Sequence, residues 1–203
     1  MSPESTLMRI HQAARKEFRE RGFHGASLRS IVKSLGMTTG AFYGYYKSKE
    51  DLFAALVEDH YRYLLDQFRQ AQEEFAHLPY ACQPELLGDF SGACMFDMLH
   101  YAYDHLEDCQ LLLCCAEGTR FAGLVDEMVQ IETDATHNYF QVLEELGRPV
   151  PDIDLRLEHI LITGMFRTFF ELIIHAMPLN EAENYLREMR AFYTAGWMKI
   201  MGQ

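Results

Sequence analysis

Apolar residues recur along the chain at steps of three and four, with no sustained alternation, and this periodicity predicts helices and no strands. Leu7, Ile10, Ala13, Ala14 and Phe18 form a first apolar stripe with Arg9, Arg15, Lys16 and Arg19 between them, closed by Gly22. Ser27 is placed to cap a second helix with Leu28, Ile31, Val32 and Leu35 as its inner face and Gly36 as its stop. Thr38 is placed to cap a third, from Thr39 to about Tyr45. Ser48, with Asp51 three residues on, opens a fourth that runs through Leu52, Leu56 and Tyr63 to about Phe75.

Beyond a linker bracketed by Pro79 and Pro84 the predicted helices lengthen, to about 84–105, 107–116, 120–146, 153–177 and 180–202. "EG" at 117, "GRPVP" at 147 and "MPLN" at 177 mark the breaks. The fold class is all-α, with about nine helices. A small N-terminal domain, 1–47, precedes a larger helical one, 48–203.

At 203 residues and 49% apolar, the chain has material for a true core. Its formal charge of −12 argues against polyanion binding until it is divided along the sequence. Residues 1–50 carry nine Lys/Arg against four Asp/Glu, and the remainder carries nine against twenty-six. A basic quarter on an acidic body is the asymmetry expected where one end meets phosphate. The five cysteines have no C-x-x-C spacing, which speaks against a disulfide framework or zinc ribbon. The N-terminus lacks the apolar run of a signal peptide, and no stretch of eighteen apolar residues occurs. The expectation is a reduced, soluble, cytoplasmic protein with no membrane contact and no cofactor.

A short helix ending in glycine, a three-residue turn and a second short helix that opens on small residues make a helix-turn-helix, whose second helix enters the DNA major groove. Thr38, Thr39, Gly40 and Ala41 suit a helix start held close to base edges. Lys47 and Lys49 suit phosphates, which set register without reading sequence. Phe42 and Tyr46 are assigned to packing and Tyr43 to phosphate.

The stretch "RIHQAARKEFRERGFHGASLRSIVKSLGMTTGAFYGYYKSKEDLF", residues 9–53, resembles the DNA-binding domain of TetR-type transcriptional regulators. The features that carry the likeness are the first-helix "AA", the "GF" after it, and the glycine- and tyrosine-bearing run ending in S-K-E-x-L. The resemblance implies DNA contacts from Ser27, Arg29, Thr38, Thr39, Ala41, Tyr43 and Lys49, and a divergent C-terminal domain for ligand binding and dimerisation. Thr39 and Gly44 depart from it, standing where lysine and histidine are common.

No G-x-G-x-x-G, P-loop, G-x-S-x-G or H-E-x-x-H motif occurs, so no catalytic residue is assigned. Asp97, His100, Asp104 and Asp108 form a stripe that reads either as a solvated face or as the site of a helical metal or haem sensor. Such a sensor, or a helical enzyme, is the alternative to DNA binding; no metal ligand is assigned. The partners expected are a double-stranded DNA operator, a second copy of the chain paired through helices 153–177 and 180–202, and a small-molecule effector. The effector is expected to be bulky, mainly apolar, and neutral or cationic, in a cavity walled by Met95, Met98, Leu99, Phe121 and Phe169 with His100 or Glu171 as polar groups. Arg167, Glu171 and His175 line one stripe of that helix, where pairing of Arg167 with Glu171 is the plainer account.

Overall fold

The structure, a computed structural model, describes residues 3–200, and within them the side chains of residues 4–87 and 92–200. The described residues form nine α-helices, one 3-10 turn at Tyr80–Cys82, and no strand. The helices are α1 Pro3–Gly25, α2 Leu28–Ser34, α3 Thr39–Tyr43, α4 Lys49–Ala76, α5 Gln83–Asp104, α6 Leu106–Cys115, α7 Leu124–Glu145, α8 Leu155–Ile174 and α9 Leu179–Ile200. The all-α fold class is as the periodicity predicts. α7 starts later than expected because residues 116–123 turn on Thr119, whose hydroxyl donates to the Ala116 carbonyl and accepts from the Phe121 amide. Positions 201 and 202, where the last helix was expected to end, lie outside the described residues.

Two compact units result: the chain up to Tyr63 together with His105–Gly123, and Leu64–Asp104 together with the chain from Leu124 onward. This division differs from the expected boundary at 47/48. The first half of α4, α6 and the turn after it belong with α1–α3, because Phe53 of α4 and Phe121 of that turn join the aromatic core of Phe18 and Phe23. Phe53 meets Phe18 edge-on at 5.0 Å between ring centres, a favoured aromatic geometry.

Local signals explain the elements of this first unit. The backbone leaves the α1 helix at Gly22, which sits in the left-handed region at φ 64°. α2 ends on Gly36, also left-handed at φ 63°. There the Met37 amide returns to the Val32 carbonyl and the Gly36 amide to Lys33, a Schellman closure that turns the chain toward α3. Ile31, Val32 and Phe42 are the inward faces of α2 and α3.

The second unit is built from the rest of α4 with α5, α7, α8 and α9. Phe68, Met98, Leu99, Met128, Leu143, Phe166, Phe169 and Ile173 fill its interior. Phe68 lies edge-on to Phe166 at 5.1 Å. No described helix is long and apolar enough to cross a membrane.

Candidate functional site

The second helix of the helix-turn-helix is one and a half turns long, and a single buried side chain orients it. Phe42 is fully buried, whereas Thr38, Thr39, Ala41 and Tyr43 around it are exposed. The Thr38 hydroxyl caps the helix by accepting from the Ala41 amide at 3.2 Å. The outward face therefore carries two threonines and a methyl group at a helix start, beside a half-exposed tyrosine. Such a surface can hydrogen-bond to base edges and touch a thymine methyl. Ser27 and Arg29 at the start of α2, and Lys47 after α3, are exposed as well.

One predicted role changes in the structure, and another residue gains partners within the chain. Ser27 does not cap α2 with its side chain. The cap comes from α1: the buried Glu17 carboxylate accepts from the Ser27 amide at 3.0 Å and from the Ser30 hydroxyl at 2.8 Å. An acid there also complements the helix N-terminus. Nothing local in the sequence pairs position 17 with position 27, so Glu17 escapes pattern reading. Lys49, expected on phosphate, is half-buried and has partners within the chain. Its ammonium donates to the carbonyls of Phe23 (2.6 Å), Ala26 (3.2 Å) and His24 (3.4 Å) and lies 4.4 Å from the centre of the Phe23 ring. It closes the frayed end of α1, where carbonyls lack helical partners.

The chain after α3 is anchored by a hydrogen bond between the Tyr46 hydroxyl and His11 Nε2. Burial, and then the charge of Arg15, hold the His11 imidazole below its ordinary range, and burial raises the Tyr46 phenol. The packing role assigned to Tyr46 thus includes a polar tie to α1.

The acidic stripe does not form one site. α5 stops at Asp104, His105 breaks the helix, and α6 begins anew, so Asp108 is not on the helix of Asp97 and His100. The Asp108 carboxylate is held by Arg15, and His100 pairs with Glu183 at 2.8 Å. No group of three or more His, Cys, Asp or Glu among the described residues is arranged to hold a metal ion.

In the second unit a cavity of about 310 Å³ opens among α4, α5, α7, α8 and α9. Phe75, Met95, Tyr139, Met165, Tyr193 and Trp197 supply much of its apolar wall, and its charged groups are Glu85, Glu132 and Arg190. Of the wall predicted from the sequence, only Met95 lines it. Met98, Leu99 and Phe169 are fully buried core. Phe121 belongs to the first unit, against Phe53 and Tyr61. His100 is spent on Glu183, and Glu171 is paired with His175 at 2.9 Å on the same helix rather than with Arg167.

The exposed α3 start, its buried Phe42 key and the glycine-closed turn before it define a helix-turn-helix DNA-binding regulator. The profile described as "Bacterial regulatory proteins, tetR family" matches residues 10–56. The HTH-type transcriptional regulator UidR of Escherichia coli strain K12 is 36% identical over 202 residues, covering 98% of this chain and 92% of that one. The HTH-type regulator YdgC of Bacillus subtilis strain 168 is 49% identical over 51 residues, 25% of this chain and 26% of its own. A TetR-family structure from Streptomyces coelicolor A3 shares the fold at a TM-score of 0.60 and 15% identity, covering 91% of this chain and 88% of that one. The chain belongs to the TetR family of bacterial transcriptional regulators.

Proposed function

We propose that the protein is a homodimeric, ligand-responsive repressor, whose two helix-turn-helix heads bind a palindromic operator and are released when an effector occupies the second unit. The observation that carries the DNA-reading part is the outward Thr38, Thr39, Ala41 and Tyr43 face held in place by buried Phe42. Within it, Thr38, Thr39 and Ala41 read bases, while Tyr43, Ser27, Arg29 and Lys47 meet phosphates. Lys49 contributes its positive charge beside them while its ammonium holds the end of α1.

A dimer follows from specificity and from surface. One short helix reads three or four bases, too few for a specific site, and two heads about one turn of DNA apart double the readout. α8 and α9 leave Leu157, Ile160, Tyr185 and Phe192 exposed, an apolar surface suited to a twofold mate. Fluorescence anisotropy with a labelled duplex from the DNA flanking the gene tests the reading. Saturable binding with a stoichiometry of two chains per site, steeply weakened by salt, is expected. Binding no stronger than to random duplex, with no salt dependence, overturns it.

A further inference from the structure

The cavity beside Trp197 in the second unit has two neighbouring carboxyl groups, Glu132 and Glu158, at one side. Glu132, on α7, faces into it and accepts a single hydrogen bond there, from Gln72 Nε2 at 2.8 Å. Behind it stands Glu158 on α8, 1% exposed, with one oxygen on His137 Nε2 at 2.9 Å and the other buried without a hydrogen-bond partner. Burial, reinforced by the charge of Glu158, pushes the Glu132 carboxyl up to about 7. Two neighbouring carboxyl groups in the interior, with Gln72 and His137 beside them and one Glu158 oxygen without a partner among the described residues, favour a cation that reaches Glu132.

The cavity's own cation is directed elsewhere. The Arg190 guanidinium lies 5.8 Å from the centre of the Phe96 ring. It also packs against Gly92 so closely that a β-carbon at that position would overlap it. The cavity also presents aromatic and thioether surface, including Trp197, Tyr139 and Tyr193, whose ring faces attract positive charge.

We propose that this cavity receives an apolar organic cation, whose protonated amine pairs with Glu132 while its hydrocarbon body lies among Phe75, Met95, Tyr139, Met165 and Trp197. The inference rests on the ligand-responsive reading above and gives it a ligand class. A carboxylate-bearing ligand of the same shape would have to approach Glu132 and Glu158 with like charge. A neutral one would forgo the ion pair with Glu132. Glu132 is the residue that sets the charge preference, and the Met-rich wall adapts to the body.

Three probes of one shape and different head charge test this: 4-phenylbutylamine, 4-phenylbutanol and 4-phenylbutyrate. They are titrated into the protein by calorimetry, with thermal shift in parallel. The amine is expected to raise the melting temperature and to bind at least tenfold more tightly than the alcohol, with the carboxylate weakest. In Glu132→Gln the amine's advantage over the alcohol should fall to within about twofold while the alcohol's own affinity is kept. The wild-type comparison needs no substitution and so stands even if that variant does not fold. Equal binding of all three probes, tighter binding of the carboxylate, or no binding of any at millimolar concentration overturns the cation assignment. Anisotropy on the flanking duplex, run on the same samples, separates this from the parent reading. Intact DNA binding released by the alcohol or the carboxylate but not by the amine leaves a ligand-responsive regulator with a different ligand. Loss of DNA binding in every condition overturns the parent reading itself.

Discussion

The guanidinium of Arg15 in α1 meets the carboxylate of Asp108 in α6 as a two-pronged pair, Nε to Oδ1 and Nη2 to Oδ2, both at 2.6 Å. Paired planar groups of this kind are the strong form of ion pair. His60 of α4 approaches the same carboxylate at 3.7 Å. Three helices of the first unit, α1, α4 and α6, thus converge at one acid. Burial alone would raise the Asp108 carboxyl, but hydrogen bonds from Arg15 and His60, together with their charge, outweigh it and hold the group at about 2. The same contact raises Arg15.

A carboxyl held below its unfolded value, about 3.9, stabilises the fold above that pH, and the contribution is lost as pH falls toward 2. Asp108→Asn should therefore lower stability at pH 7 by about 2 kcal/mol and flatten the acid limb between about pH 4 and pH 2. Urea unfolding across that range measures both. Unchanged stability at pH 7 together with an unaltered acid limb would show that the pair is structurally idle.

The two lysines after α3 should separate cleanly. Lys47 is exposed, and Lys47→Ala should leave thermal stability within about 0.5 kcal/mol while reducing the salt slope of DNA binding by about one unit. Lys49→Met leaves the carbonyls of Phe23, His24 and Ala26 without their donor and should cost about 1–2 kcal/mol of stability. Its effect on DNA should be a uniform loss that tracks the loss of fold. A Lys49→Met protein that melts normally and loses one unit of salt slope would return this residue to phosphate.

These two lysines also show what the sequence could and could not reveal. Period and punctuation located the helices, because Gly36, Thr38 and Ser48 act on neighbours within four residues: the Schellman turn, the Ala41 amide and the Asp51 amide are all as the pattern implies. Phe42 inward and Tyr43 outward follow from the same period. The contacts of Lys49 with residues 23–26, of Glu17 with Ser27, and of Arg15 with Asp108 span ten to ninety-three positions, and local spacing cannot signal them. For a related reason, periodicity does not locate the cavity. Periodicity says which side chains turn inward, so Met98, Leu99 and Phe169 were found, but they are packed solid. The space lies instead beside Trp197, Tyr193 and Arg190, on a helix whose surplus apolar surface had been given wholly to the dimer.

Glu17 and Thr39 should fail in different ways. Glu17→Ala removes the acceptor for the Ser27 amide and the Ser30 hydroxyl at a buried position, which should cost about 1–3 kcal/mol and weaken binding to specific and random duplexes by the same factor. Thr39→Ala, on an exposed helix start, should keep the melting temperature and change the ranking of operator variants, at about 1–3 kcal/mol for a lost base contact. Anisotropy against a panel of single-base operator variants distinguishes the two. The same ranking for both variants would mean that position 39 does not read sequence.

The last prediction concerns the outer faces of α8 and α9. Ile160 is 63% exposed and Phe192 74%, with Leu157 and Tyr185 close to half exposed, whereas Ile162, Phe166, Ile173 and Leu186 on the same helices face the core. Each helix thus has a second apolar face that the monomer does not cover. Burying a side chain of this size is worth about 1.5–3 kcal/mol, and a twofold interface counts each one twice. Sedimentation equilibrium at micromolar protein should give twice the chain mass of 23.6 kDa, with a melting temperature that rises with concentration. Phe192→Glu places two like charges in the seam and should yield a monomer whose isolated fold, read by circular dichroism, is preserved. That monomer should bind half-operator duplex as weakly as wild type does and should lose the gain that wild type shows on the full palindrome. A wild-type protein that sediments as a monomer at tens of micromolar would end both the dimer and the two-headed mode of DNA binding that depends on it.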